Sequence, residues 1–362
     1  MKILTLTFLL TLFKLSIFGQ NNDAWTAFWN KDTTLIGYKD KHGVVKIEPK
    51  FQTGFTLASK FDNIIAVAEE VNPIWKLYYL TKSGKIVGRD SLHIFDNGPD
   101  CESEGFIRFR DKKTDRAGMF NRNGDIVIPA EYNDLTRVRN GLIIALKGAT
   151  KQIWEGGEHF SWVGGKEILI DTANNTLIDS FKLSGSINFF TLIISTQPDP
   201  DTIRRNFKTI NGKYFSFVDF DKEFRAWLKT SLLNNLTKEN LLNATYKEVT
   251  FWKEPIGWKS EIKNSFIDRN YELIKTKLLQ LSSKDCDYDI FDESLNSYIY
   301  GSEEYKNFFN NCGEPKDWLY PVKDIIISYR NEKILLQDHI EFLRTDNGYK
   351  LISLTIRKGE IK

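Results

Sequence analysis

The sequence predicts an antiparallel β-repeat array followed by an α+β domain with helices on an antiparallel sheet. Three observations carry this. Glycine-cornered strand pairs recur about every forty residues in the first half, with turn glycines at Gly43, Gly84 and Gly124. After Asp219 the apolar spacing changes from alternation to steps of three and four. Near the C terminus, Asn347-Gly348 stands between two alternating runs, a strong hairpin signal.

The 362 residues are enough for two cores. Hydrophobic content of 41% with 27% charge belongs to a globular chain and excludes wholesale disorder. Aromatics reach 14%, led by Phe and Tyr, which favour pleated, half-buried surfaces. Residues 1–19 read as a secretory signal peptide: Lys2, the apolar run Ile3–Phe13, and the small Gly19 at a cleavage point. The run is short for a bilayer, and no later run approaches spanning length, so no membrane span is expected after leader removal. The expected location is therefore exported: periplasmic, cell surface or secreted. Losing Lys2 and Lys14 takes the net charge from +2 to zero. Such a balance predicts no attraction to nucleic acid or anionic membrane.

Behind the leader, Trp25, Phe28 and Trp29 are spaced for one helical face, a cap over the first unit. Three segments then align: LIGYKDKHGVVKIEPKF from Leu35, WKLYYLTKSGKIVGRD from Trp75 and AGMFNRNGDIVIPAEY from Ala117. In each, an aromatic-rich strand enters a polar turn ending in Gly and leaves as a β-branched run. Glycine suits that corner because positive φ costs it nothing. Pro49 and Pro129 end pairing before Phe51 and Tyr132. A closing apolar strand follows at Ile64–Ala68, Phe106–Phe109 and Leu142–Leu146. Units this small bury a face only against neighbours.

These residues resemble the WG-repeat family, at Gly37, Asp40, Gly43, Pro49 and Phe51 and again at Gly118, Gly124, Ile128, Pro129 and Tyr132. The eponymous Trp-Gly pair is replaced by Ile36-Gly37 and Ala117-Gly118. The likeness runs from Leu35 to Lys147. It implies a β-repeat array of exported or surface proteins and carries over no catalytic residue.

A fourth unit is expected at Lys166–Phe181, with its turn at Asn174-Asn175. It is delayed by an insertion, Ala149–Gly165, that holds Trp154, His159, Phe160 and Trp162 between glycine pairs. Long loops on a rigid β scaffold are where binding groups sit, so these four are the candidate ligand-binding residues. The Pro- and Asp-rich Thr196–Asp201 reads as a linker, giving a repeat domain over 20–196 and an α+β domain over 202–362.

In the second domain, Asp219 and Thr237 are expected N-caps of two helices, the second over Lys238–Tyr246, and a third runs from about Phe266 to Leu281. A meander ends the chain: Asp324–Tyr329, a turn at Asn331-Glu332, Ile334–Leu343, and Tyr349–Arg357. This last hairpin is similar to that of cystatin- or NTF2-like cone folds. Cys286 and Cys312 share the domain and form the expected disulfide, leaving Cys101 as a buried thiol.

No nucleophile elbow, zinc motif, phosphate loop or dinucleotide fingerprint is present, so no catalytic residue, metal or cofactor is assigned. Asp285, Asp287 and Asp289 alternate like a calcium loop, but Ile290 stands where the loop needs Gly, and a solvated acidic loop is expected. Asp338 and His339 are adjacent on a strand and must face opposite ways; Glu341 shares the face of His339. The expected function is a non-catalytic binding or scaffold module for a protein, peptide or glycan. The competing class is an enzyme with a pocket in the C-terminal domain, which a cavity lined by His339, Glu341 and further polar groups would favour.

Overall fold

A computed structural model describes residues 23–362, apart from 72, 96–97, 158, 184 and 331–334. The leader and the turn at 331–332 lie outside the described residues. What is described is mostly antiparallel sheet with few helices.

The first half is built from four three-stranded meanders. They are Trp25–Trp29, Leu35–Lys39 and Val45–Gln52; then Ile64–Val71, Ile74–Thr81 and Ile86–Val87; then Phe106–Asp111, Arg116–Asn121 and Ile126–Tyr132; and last Leu142–Lys147, Lys166–Asp171 and Thr176–Ile178. The strand expected to close one unit thus opens the next. This explains the correction at the N terminus. Trp25, Phe28 and Trp29 lie on a strand and not on a helix. This aromatic run supplies the opening strand of the first meander.

The turns share one construction. Asp40 Oδ1 accepts from the backbone N–H of His42 and Val44 at 2.9 and 3.0 Å, and Asn121 and Asp171 do the same in the third and fourth turns. In the second, Thr81 Oγ1 accepts from Lys85 N at 3.0 Å. Three residues after each of these side chains φ is positive: +81° at Gly43, +85° at Gly84, +72° at Gly124 and +65° at Asn174. Asn tolerates that region better than any other residue with a side chain. Gly118 answers a different demand, since a Cβ there would lie 2.7 Å from the Ile128 carbonyl oxygen.

Cores sit between consecutive meanders. Tyr38, Phe51, Val67 and Tyr78 join the first to the second, Tyr79, Ile107 and Phe120 the second to the third, and Met119, Ile143 and Ile170 the third to the fourth. Phe181, Phe189 and Phe217 then join the fourth to a further sheet of Ile187–Ser195, Tyr214–Asp219 and Arg204–Lys208. The Pro-rich segment Thr196–Asp201 connects two strands of this one sheet. Pro198 and Pro200 thus lie in a loop between two strands that each pair with Tyr214–Asp219. Pro49 and Pro129, in contrast, lie inside strands whose pairing resumes at Phe51 and Tyr132, so the expected end of pairing there is not found.

The passage to the second core comes at Asp219, whose carboxylate caps helix α1 (Phe220–Trp227). Thr237 caps α2 (Lys238–Asn243), which ends three residues before the expected Tyr246. Helix α3 (Lys263–Gln280) covers one face of a six-stranded sheet. In order, that sheet holds Gly257–Ile262, Thr245–Lys253, Gly348–Thr355, Leu335–Thr345, Val322–Arg330 and Tyr288–Glu293. The second and third of these run parallel, so the sheet is mixed and not the purely antiparallel one expected. Asp289 therefore lies on an edge strand and not in the expected acidic loop.

The disulfide joins Cys101 to Cys312, and Cys286 is free. The expected Cys286–Cys312 pair fails because the excursion between Glu293 and Val322 leaves the sheet and runs along the repeats, carrying Cys312 with it. Cys286 stays at the foot of α3, half-buried against the second core. The excursion is held elsewhere too. Ser59 N donates to Asn311 O at 2.7 Å, Arg137 pairs with Glu314, and Arg139 stacks on Trp318 at 3.4 Å. Beneath it, Asp100 is buried between Arg108 and Arg137, both at 2.7 Å. Burial alone would raise the Asp100 carboxyl, yet the two guanidinium groups hold it far below the ordinary carboxylate range.

Candidate functional site

The insertion folds as a hairpin of Thr150–Ile153 and Phe160–Val163. It grows from the turn between two paired strands of the fourth meander, whose last pair is Lys147 with Lys166. Strand alternation puts Phe160 and Trp162 on one face, opposite Ile153 and Lys151. That face forms one side of a groove of about 530 Å³. The other side brings His93, Phe95, Arg110, Asp115 and Asp134 from the second and third meanders and the segments that follow them. Of the four residues singled out, His159, Phe160 and Trp162 line the groove. Trp154 does not; its indole N–H donates to Ser161 Oγ at 2.6 Å.

The charges in the groove are internally paired. Lys151 Nζ donates to Asp115 at 2.8 Å and sits 3.9 Å over the Phe160 ring. Arg110 reaches Asp115 and Asp134, each at 3.3 Å, and its guanidinium lies 5.9 Å from the Trp162 ring. Burial works to raise both carboxyls, but Lys151 at Asp115 and His93 at Asp134 pull them below their ordinary values. His93 is almost fully buried, bonds Asp134 through Nε2 at 3.3 Å, and leaves Nδ1 without a partner. Phe95 is 80% exposed at the rim. Sequence reasoning missed His93, Phe95, Arg110, Asp115, Asp134 and Lys151. They come from separate segments, and no spacing announces their convergence.

Residues 118–149 match the family model described as WG containing repeat. No curated protein matches the chain. The WG match ends at Ala149, one residue before the inserted hairpin begins. The groove therefore combines WG-repeat strands, which supply Asp134, with an addition lying outside the matched unit.

The second candidate lies in the C-terminal sheet. As alternation requires, Asp338 and His339 face opposite ways. Asp338 points to the helix side, where Lys277 of α3 donates to it at 2.6 Å. Burial opposes the charge on Lys277, but the bond to Asp338 raises its pKa overall. The rest of that side is filled by Phe224, Phe251, Phe266, Phe342 and Leu351. His339 points to the other face, into a cavity of about 330 Å³ roofed by the excursion. Its partner there is Asp324, one strand over, with Nδ1 and Oδ2 2.7 Å apart. That bond raises the His339 pKa. Glu341 stands directly across from Asp324 in the register, and burial, then the Asp324 charge, pushes its carboxyl up to about 7. Among the described residues no three His, Cys, Asp or Glu side chains gather to hold a metal ion. Nor is any described helix long and apolar enough to cross a membrane.

Proposed function

We propose that this is an exported, non-catalytic binding protein whose groove between the inserted hairpin and the WG-like meanders takes a segment of protein or peptide. The carrying observation is the pairing of exposed apolar side chains with cations already seated on the ring faces. Phe95, Ile94 and Phe160 are exposed, while Lys151 covers Phe160 and Arg110 lies beside Trp162. A sugar needs a free aromatic face on which to stack. A peptide needs apolar rims for its side chains and rigid polar groups for its backbone, and both are present here. Export is supported by the leader-like residues 1–19 and by the Cys101–Cys312 disulfide, which belongs to an oxidising compartment.

We read the C-terminal half as an α+β domain, similar at its final hairpin to cystatin- or NTF2-like cone folds. Phe and Leu fill its helix-facing side, which supports a structural role for that side. The cavity on the other face, lined by His339, Glu341, Asp324 and Ser353, is the feature that favours the second reading, an enzyme with a C-terminal pocket.

The test is selection of a random displayed peptide library on the purified protein, with a glycan array in parallel. Selected peptides are expected to lose binding at least tenfold to Phe95→Ser plus Trp162→Ala, and to be indifferent to Trp154→Ala. Binders unaffected by the double change would overturn the groove, and glycan binding that needs Trp162 would reassign the ligand.

A further inference from the structure

The His339 face carries a site independent of the groove. Asp324 is only 4% exposed and lines the cavity. Its Oδ2 is held by His339, but its Oδ1 is buried with no hydrogen-bond partner. A buried carboxylate oxygen is among the groups a fold least often leaves unsatisfied. What it lacks is a donor. Glu341, across the strand pair, and Glu293, at the end of the edge strand, line the same space, so the donor it suits is positively charged. An anionic ligand would meet three carboxyl groups against the one imidazole of His339, which Asp324 already holds, and is disfavoured on the same ground. Glu341 is adaptable, because the raised carboxyl ionises when a cation arrives beside it.

The remaining walls choose between cations. Tyr300, buried in the excursion, and Trp258, half-exposed on the outer strand, supply aromatic surface, with Leu295, Ile299 and Ile352 beside them. Ser294, Asn296 and Ser353 complete the lining, and aromatic and aliphatic surface beside a carboxylate suits an alkylammonium better than a hydrated metal ion. The volume of about 330 Å³ sits at the small end of small-molecule sites, which sets the scale at a short-chain amine.

We propose that this cavity binds a small organic cation, a primary or secondary amine. Its ammonium would donate to Asp324 Oδ1 and Glu341, and its carbon chain would lie against Tyr300 and Trp258.

Isothermal titration of the full chain tests this with three probes of one shape: putrescine, the neutral 1,4-butanediol and the anionic succinate. Putrescine is expected to bind and the other two are not. Asp324→Asn and Glu341→Gln are each expected to weaken putrescine roughly tenfold or more, the size of one charge-assisted hydrogen bond. Circular dichroism and melting identify any variant that fails to fold. Glu341→Gln changes only the charge of a group at the cavity wall, so it keeps the test decisive if Asp324→Asn unfolds. The proposal is overturned if butanediol binds as well as putrescine, if putrescine gives no heat, or if both folded variants bind it like the parent. Displacement of putrescine by calcium or zinc at lower concentration would overturn it in favour of a metal.

Discussion

In the repeat half, Ile143 belongs to a core of ten buried residues shared by two neighbouring meanders, whereas Phe342 belongs to a core of twenty-one under one six-stranded sheet. The difference decides where polar groups can go. A string of small cores has many seams, and its buried charges sit on them: Asp100, Arg108 and Arg137 lie under the strap of the excursion. The large core fills one face of the sheet, and the excursion packs a smaller cluster, with Leu295, Tyr300, Phe308 and Leu343, onto the other. There the polar groups divide, with Lys277 and Asp338 locked under α3 and Asp324, His339 and Glu341 left around a cavity. Both candidate sites arise where the local core runs out. The groove lies on a hairpin added beyond the WG unit, and the cavity lies on the sheet face turned away from α3.

The largest effect should come from cutting each core at its centre. Phe342→Ala is expected to cost about 3–5 kcal/mol, and Ile143→Ala about 2–5 kcal/mol. The contrast lies in the reach of the damage. Hydrogen exchange by mass spectrometry should quicken throughout residues 245–355 for Phe342→Ala. For Ile143→Ala it should quicken mainly across the third and fourth meanders, because each repeat contacts only its neighbours. Acceleration over the whole chain in both variants would mean that the strap welds the halves into one cooperative unit, and the comparison would break.

The strap itself comes next. In the chain-entropy relation, the 211-residue separation of Cys101 and Cys312 corresponds to about 5 kcal/mol, and measured disulfides give about 2–4 kcal/mol. Cys101→Ser is therefore expected to lower the melting temperature strongly and to abolish its dependence on reductant. Cys286→Ser, at a half-buried thiol outside the bridge, should shift stability by less than about 1 kcal/mol. Equal sensitivity to both changes would show that the bridge does not hold the halves together.

Much of the repeat plan is legible in the chain because it depends on local chemistry. Gly43, Gly84 and Gly124 announce positive φ, and Asp219 and Thr237 announce helix starts, each from a neighbour within four residues. The phase of the meanders is not legible. Whether Ile64–Val71 closes one unit or opens the next depends on which partner it finds, and alternation is the same either way. The Cys101–Cys312 pairing is hidden for a related reason, since the excursion crosses between regions far apart in sequence. At the sites, Phe160, Trp162 and His339 were visible as residue types in suggestive places. Asp324 was not, because it meets His339 through strand register, and Asp338 next door in sequence faces the other way. Family likeness ends at Ala149, so it offers no help with the hairpin that completes the groove.

The smallest effect concerns the turn where Asn174 replaces glycine. Its backbone has φ +65°, its side-chain oxygen accepts from Tyr132 Oη at 2.8 Å, and its amide donates to Glu131 at 2.9 Å. The fourth meander thus uses the corner residue to tie itself to the third, which no glycine can do. Asn174→Gly keeps the corner and loses the tie, and should cost about 1 kcal/mol, because the Glu131 bond is exposed and the Tyr132 bond only part-buried. Asn174→Ala loses the tie and adds a left-handed Cβ, for roughly 1–2 kcal/mol in total. Gly43→Ala in the first turn, where an added Cβ meets nothing within 4 Å, should match the strain part of that cost. Chemical denaturation of the three variants separates the contributions. If alanine proves no worse than glycine at 174, the corner is not what sets the fourth meander, and its resemblance to the glycine turns is one of shape alone.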